Sequence, residues 1–317
     1  MKYVKKILKG IGIFLGVVIL ILLIDYIRLN VHYLIHKRDY SEEFAVQGIK
    51  NKYTPQGLTY SEKYNVAIQT SYNKKGQVSM LYITDLSNNK LIKSVKLLNS
   101  DGSFDHKHVG GITTDDKTVW ITNEYTVDII DLEELINTKE DSIKIKETYD
   151  LPNRGDFTLY DDGILWIGDF FLKFIYDCPD DNPLLFGYVL SEDTKFDSPD
   201  YAISLPIMIQ GMERDSEGKF IFTDSYTNLV HSKLTIYSNV LAEDHSIYKI
   251  NGKEIPYYKF NKNNLIKTYK IPPMAEGLFL KDDQPYIVFE SASDTYWEAL
   301  PRLPKVLKFN IQEIGKN

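Results

Sequence analysis

The sequence is poor in several features that usually identify an enzyme class. It has one cysteine, Cys178, which excludes an internal disulfide and any zinc site built from cysteines. The P-loop, G-x-G-x-x-G, H-E-x-x-H and G-x-S-x-G signatures do not occur. No single motif therefore indicates a nucleotide, a metalloprotease centre or a serine nucleophile.

The composition is that of a folded chain. Of 317 residues, 43% are apolar and 26% are charged, which excludes wholesale disorder and a collagen-like repeat. Tyrosine (23) and phenylalanine (15) are abundant against 12 prolines, and aromatic residues favour β-strands and a packed core. The chain is long enough for one large domain or two smaller ones.

Charge is unevenly distributed. Residues 1–38 hold seven lysines and arginines against one aspartate, a net charge of +6. Since the whole chain has a net charge of −7, residues 39–317 carry −13. A body that acidic repels phosphate backbones, so we expect no nucleic-acid partner. Cations and cationic groups are more natural ligands.

The N-terminal segment has the pattern of a membrane anchor. Gly10 to Ile24 is uncharged, four lysines precede it, and a helix from Ile7 to Ile27 would span about 31 Å, close to a hydrocarbon core of about 30 Å. No A-x-A cleavage site follows the apolar run. We predict an uncleaved signal anchor and stalk over residues 1–40 and an extracytoplasmic body over 41–317, held at the cell membrane by a single span. A cleaved signal peptide is the alternative.

The body is built from a repeated unit of short strands with alternating apolar residues. Each unit opens with a glycine, followed by a turn and a second strand, and these glycines are at positions 57, 111, 155, 211 and 277. Units of four strands and about 40–50 residues are typical of β-propeller blades. We predict an all-β propeller with five blades. A sixth blade is possible if the insertion at 240–262 adds one, and residues 44–53 would supply the strand that closes the ring.

The repeat units resemble a family of secreted or membrane-anchored bacterial β-propellers, most of which have no assigned activity. The resemblance rests on Pro55–Leu58, His108–Ile112, Gln210–Met212, Pro273–Gly277 and Phe289–Ser291, and it extends over most of residues 50–310. More distantly, the pattern is similar to gluconolactonase-like and quinoprotein-like propellers. The resemblance implies the fold and a location in the cell envelope.

Polar side chains recur where the first strand of each unit starts and the second ends. Because strands alternate in direction, these positions share one face of the disc, and about half should point inward. The binding candidates are Gln56, His108, Arg154, Asp156, Gln210 and Glu276 from strand starts, and Glu124, Asp169, Asp224 and Glu290 from strand ends. Tyr72, Tyr125, Tyr226, Tyr296 and Trp297 would add aromatic surfaces near the same rim.

Glu276 is the strongest single candidate. Its counterparts in the other units are Gln56, Gly110, Arg154 and Gln210, so it is the one carboxylate predicted at that ring position. A lone carboxylate facing a narrow channel requires a cation or hydrogen-bond donors.

These residues favour a ligand-binding function at the channel mouth, for a small molecule, a cell-envelope fragment or a protein. The alternative is a lactonase-like hydrolase that depends on a divalent metal. Glu276, Asp156 and Asp224 would then hold Ca²⁺ or another divalent cation, and His108 would be a candidate general base.

Overall fold

The computed structural model describes residues 2–175, 178, 182–191 and 194–311. The chain begins with α1 (Lys2–Ile35). Within the described part, α1 is the one helix long and apolar enough to cross a membrane, and its most apolar stretch makes no buried contact with the body. A second, short helix, α2 (Leu132–Asn137), is capped by the Asp131 side chain, which accepts a hydrogen bond from the Glu134 N–H.

Almost all remaining regular structure is β-strand. In chain order the strands are β1 (Tyr40–Ala45), β2 (Tyr53–Ser61), β3 (Val66–Asn73), β4 (Met80–Asp85), β5 (Lys90–Leu98), β6 (Gly111–Thr114), β7 (Thr118–Asn123), β8 (Thr126–Asp131), β9 (Ser142–Lys144), β10 (Glu147–Asp150), β11 (Phe157–Asp161), β12 (Ile164–Gly168), β13 (Leu184–Val189), β14 (Tyr201–Ser204), β15 (Ile209–Arg214), β16 (Phe220–Asp224), β17 (Ser232–Tyr237), β18 (Ser246–Ile250), β19 (Lys253–Lys259), β20 (Leu265–Ile271), β21 (Ala275–Lys281), β22 (Gln284–Phe289) and β23 (Lys305–Phe309).

The strands form five sheets, which confirms the predicted five-bladed propeller. From the centre outward, blade 1 is β2-β3-β4-β5-β9, blade 2 is β6-β7-β8-β10, blade 3 is β11-β12-β13-β14-β19-β18, blade 4 is β15-β16-β17-β20 and blade 5 is β21-β22-β23-β1. The first strand of each blade contacts the first strands of its neighbours, so the inner strands form the ring. We call the face where inner strands start the mouth face, and the opposite one the far face.

The ring is closed by an N-terminal strand, but not by the segment that the sequence suggested. The outer strand of blade 5 is β1, which pairs antiparallel with β23 from Tyr40↔Phe309 to Ala45↔Lys305. Of the predicted segment 44–53, only its first two residues lie in β1 and only its last lies in β2. The strand lies earlier because its buried apolar residues are Tyr40 and Phe44, and Val46 is buried directly after it.

The insertion at 240–262 contains a hairpin but does not form a sixth blade. Its strands β18 and β19 pair antiparallel, and β19 then pairs parallel with β14 on the outer edge of blade 3. Ile255 and Tyr258 bury their side chains there. The hairpin therefore covers the open edge of an existing blade, which would otherwise be exposed.

Blade 3 departs from the glycine pattern of the other units. In blades 1, 2 and 4, the inner glycine lies opposite a threonine of the second strand: Thr70, Thr122 and Thr223. In blade 3 the pair is reversed, because Phe157 occupies the inner position opposite Gly168. A Cβ at Gly168 would overlap the Phe157 ring. In blade 3, Phe157 thus occupies the position that the sequence pattern assigned to Gly155, so the inner strand is aligned two residues later than predicted.

The centre of the ring is filled. Leu58, Ile112, Phe157, Met212 and Leu278, one from each inner strand, are each at most 3% exposed, and the space left between the inner strands is about 10 Å³. That volume holds at most one water molecule. Any ligand site on the axis is consequently a blind pocket at one face rather than a through-channel.

Closure by β1 predicts different effects for two truncations. Removing residues 1–39 leaves β1 intact, whereas removing 1–46 exposes the edge of β23 and deletes three buried side chains, each worth about 1.5–3 kcal/mol when fully buried. We expect the longer truncation to lower the melting temperature of the body markedly relative to the shorter one. Equal melting temperatures by circular dichroism would contradict the assignment.

Candidate functional site

The mouth face holds a cavity of about 380 Å³ above the filled centre. We call it the mouth cavity. Residues of all five blades line it: Gln56, Tyr72, Lys74, His108, Arg154, Asp156, Phe170, Gln210, Ser225, Tyr226, Thr227, Asn228, Met274, Glu276, Glu290, Tyr296 and Glu298. Most of these side chains can donate or accept hydrogen bonds, and several are aromatic. The cavity is therefore suited to a small polar ligand.

Two carboxyl groups from blade 5 meet in the wall of the mouth cavity. Glu276 belongs to β21 and is 3% exposed, and Glu290 follows the end of β22. The two carboxyl groups are close enough to influence each other's pKa, and the Tyr296 hydroxyl lies near Glu290. The Gln56 Nε2 group donates to Glu290 Oε2 at 3.4 Å. Two neighbouring carboxylates repel each other, which favours a proton on one of the pair.

The surroundings decide which carboxyl group keeps that proton. Burial raises the pKa of Glu276 well above its ordinary value, and the neighbouring Glu290 raises it further. Burial also raises the pKa of Glu290, but the Tyr296 hydrogen bond, the positive charge of Lys74 and the bond to Glu276 all oppose that rise. The surroundings therefore favour the proton on Glu276 over Glu290.

Lys74 supplies a cation at the cavity rim. Its Nζ atom lies 4.2 Å from the centre of the Tyr296 ring, a cation–π contact. The same ring carries the hydroxyl that bonds Glu290. The protein thus already places one ammonium group over Tyr296, which shows that this part of the cavity accommodates a cation.

An arginine–carboxylate pair from blade 3 also lines the cavity. The Arg154 Nε and Nη2 groups donate to the two oxygens of Asp156 at 3.1 and 3.0 Å, and the Phe170 N–H donates to Asp156 at 2.8 Å. Because blade 3 is aligned two residues later, Asp156 rather than Arg154 corresponds to Glu276. The expectation that Glu276 is the one carboxylate at this ring position is not met.

His108 contributes a neutral imidazole. Its ring lies against Tyr72 with 4.0 Å between ring centres. The ring is exposed to the cavity, and the surrounding protein atoms, together with the positive charges of Arg154 and Lys74, lower the pKa of His108. The imidazole is therefore uncharged at neutral pH and can act as an acceptor as well as a donor.

Seven of the ten predicted binding residues line the mouth cavity: Gln56, His108, Arg154, Asp156, Gln210, Glu276 and Glu290. Three strand-end residues do not. Asp224 pairs with Lys233 at 3.1 Å. Asp169 is buried and accepts a hydrogen bond from the Leu184 N–H, and burial raises the pKa of Asp169 to about 7. Glu124 is exposed on the rim. Of the five predicted aromatic residues, Tyr72, Tyr226 and Tyr296 line the cavity, whereas Tyr125 and Trp297 point to solvent.

The three carboxylates predicted to hold a metal are not brought together. Glu276 bonds Glu290, Asp156 bonds Arg154 and Asp224 bonds Lys233. Across the described residues, no group of three or more His, Cys, Asp or Glu side chains is placed to hold an ion. These donors do not fit a divalent cation bound by three such ligands.

Several cavity residues escaped the sequence analysis. Lys74 lies in the stretch Asn73–Gly76, whose composition indicates only a turn. Phe170 and Met274 look like core residues, and both are largely buried even though they line the cavity. One feature of the sequence could have identified Lys74. It lies two residues after Tyr72, at the point where the second strand of the blade ends.

The carboxyl pair predicts a characteristic pH dependence for Glu276→Gln. Since the fold raises the pKa of Glu276, the folded wild type binds more protons than the unfolded chain, and its free energy of unfolding falls as pH rises above the ordinary carboxyl value. Glutamine removes that loss, so the free energy of unfolding of the variant should rise relative to that of wild type as pH increases above the ordinary carboxyl pKa, by about 1.4 kcal/mol per pKa unit of the shift.

Urea unfolding at several pH values measures this difference. Glu124→Gln, on the exposed rim, is the matched control and should run parallel to wild type. If the free energy of unfolding of Glu276→Gln has the same pH dependence as that of wild type, the fold does not raise the pKa of Glu276.

No protein-family model and no curated protein matches this sequence. Solved structures do resemble it. Glutaminyl cyclase from Myxococcus xanthus has a TM-score of 0.50 at 9% identity, covering 85% of this chain and 94% of its own. The PQQ-bound aldose sugar dehydrogenase from Streptomyces coelicolor has a TM-score of 0.45 at 11% identity, covering 84% and 96%. At such identities the likeness shows the fold alone, which is that of a β-propeller.

Proposed function

We propose that this chain is a membrane-anchored, extracytoplasmic β-propeller that binds a small polar ligand, uncharged or cationic, in the mouth cavity. The observation that carries the proposal is that the buried Glu276 and the partly buried Glu290 both line the cavity, where burial raises the pKa of each. Buried carboxyl groups are costly unless they meet hydrogen bonds or opposite charge. A ligand that supplies hydrogen-bond donors or a positive charge would therefore bind favourably next to these carboxyl groups.

The other polar groups of the cavity support the same preference. Gln56 and Gln210 offer amides from blades 1 and 4, His108 offers a neutral imidazole, and the positive charge of Arg154 is already matched by Asp156. Tyr72, Tyr226 and Tyr296 provide ring surfaces for stacking or cation–π contact. An anionic ligand would instead face the Glu276–Glu290 pair.

The anchoring part of the proposal rests on α1. The helix is long and apolar enough to span a bilayer, and its apolar stretch has no buried contact with the propeller. The lysines at the extreme N-terminus favour that end on the cytoplasmic side, which places the propeller outside.

A ligand screen tests the binding proposal. Melting temperatures would be measured with small amines, neutral sugars and carboxamides, and with carboxylates as the contrasting class. A ligand at 100 times its Kd adds about 2.7 kcal/mol of stability. We expect amines or uncharged probes to stabilise wild type and Glu124→Gln, and Glu276→Gln to lose that stabilisation while remaining folded. Stabilisation by carboxylates alone, or an unchanged response of Glu276→Gln, would contradict the proposal.

The divalent-metal hydrolase remains the alternative function. The described part of the chain offers no three-ligand group for an ion, so we favour ligand binding without a resident metal. The two functions differ in their response to chelation. We expect the melting temperature to be the same with EDTA and with added Ca²⁺, and a clear upward shift with Ca²⁺ that EDTA reverses would instead support the metal site.

A further inference from the structure

The anchor helix contacts the propeller along one side, and the order of these contacts gives its direction. Residues 36–39 follow α1 and lead into β1, which begins at the far face because Tyr40 pairs with the end of β23. The Tyr40 hydroxyl donates to the Tyr33 carbonyl at 2.5 Å, and their rings stack. The helix therefore meets the body first near the far face.

Farther back along α1 the contacts move to the mouth face. The His32 ring lies 4.2 Å from that of His231, between centres, and Arg28 Nη2 donates to the Leu229 carbonyl at 3.4 Å. Both partners lie in the loop 225–231 between β16 and β17, which also lines the mouth cavity through Ser225 to Asn228. Leu29 is 4% exposed, so this part of α1 is packed. The contacts of α1 that lie nearest to its apolar run are thus made with a loop of the mouth face.

The apolar run begins just beyond this point. Ile24 precedes Arg28 by four residues, which is about 6 Å along a helix axis. The headgroup layer on each side of a bilayer is roughly 5 to 8 Å thick. A bilayer that contains the uncharged run would therefore have its headgroups level with the tip of loop 225–231.

The mouth face is suited to such a surface. Its loops expose large apolar side chains from all five blades: Phe104, Tyr125, Phe174, Ile175, Ile207, Tyr226, Leu229, Val230 and Trp297. Trp297 is 77% exposed and Phe174 is 90% exposed. By contrast, the exposed large hydrophobic residues at the far-face strand ends are all aliphatic: Leu91, Ile92, Val189, Leu265 and Ile266. Aromatic residues concentrated on one face are typical of the membrane–water interface.

We propose that the mouth face docks on the bilayer spanned by α1, so that the mouth cavity opens toward the lipid headgroups and takes its ligand from the membrane surface. This inference rests on the anchor of the proposed function. It narrows the ligand to a polar group presented at headgroup level, rather than a solute approaching from the far side.

Trp297 provides the test. The chain has three tryptophans, and the other two, Trp120 and Trp166, are at most 4% exposed. The full chain would be reconstituted into phosphatidylcholine vesicles with ordinary or brominated acyl chains. We expect brominated lipid to quench the fluorescence of Trp297, which is the part of the emission that is missing in Trp297→Phe. As the matched control, Ile92→Trp in the Trp297→Phe background places an exposed indole near the far-face end of β5, and its emission should not be quenched.

Two results would overturn the proposal in distinguishable ways. If the chain does not float with the vesicles, the anchor itself is refuted, and docking with it. If the chain floats but Trp297 is not quenched, or is quenched no more than the far-face tryptophan, docking alone is refuted.

A second variant tests the role of the helix contact. Leu29→Asp disrupts the packed part of α1 without touching the mouth face, and we expect it to float normally but to lose much of the Trp297 quenching. Unchanged quenching would refute the claim that α1 orients the disc.

Discussion

The architecture depends on how closely the inner strands approach one another around the axis. A Cβ at Gly277 would lie 2.5 Å from the Leu58 N atom, and one at Gly57 would lie 2.9 Å from the Ile112 N atom, so side chains are excluded at these points. The next residue of each strand packs between blades instead, as Leu58 does against blade 5 and Ile112 does against blade 1. Blade 3 meets the same constraint differently, with Phe157 inside and Gly168 behind it. Close packing closes the ring and leaves the mouth cavity as a blind pocket.

The position of the candidate site follows from that packing. The residue before each inner glycine lies at a bulge or strand start, immediately above the filled centre, and in blades 1, 4 and 5 it is Gln56, Gln210 or Glu276. Only Glu276 finds a second carboxyl group, because the chain turns after Phe289 and brings Glu290 beside it. The buried pair, with Tyr296 and Lys74 around it, gives one side of the cavity its chemical character.

The anchor and the site are connected through one loop. Residues 225–231 line the mouth cavity on one side and contact α1 on the other, through Leu229 and His231. A contact of this kind fixes the orientation of the disc relative to the helix axis. In the proposed docked arrangement, the same contact would turn the mouth face toward the bilayer.

The sequence by itself determined the long apolar N-terminal helix, the strand repeat, the five blades and seven of the ten cavity candidates, because these depend on local periodicity and on strand direction. It could not align blade 3, since the exchange of Phe157 and Gly168 between neighbouring strands is visible only when they pair. It could not identify the Glu276–Glu290 pair, whose members are fourteen residues apart, or Lys74 over Tyr296. Tertiary structure decided these features, and the direction of α1, because each is a contact between segments that local pattern leaves independent.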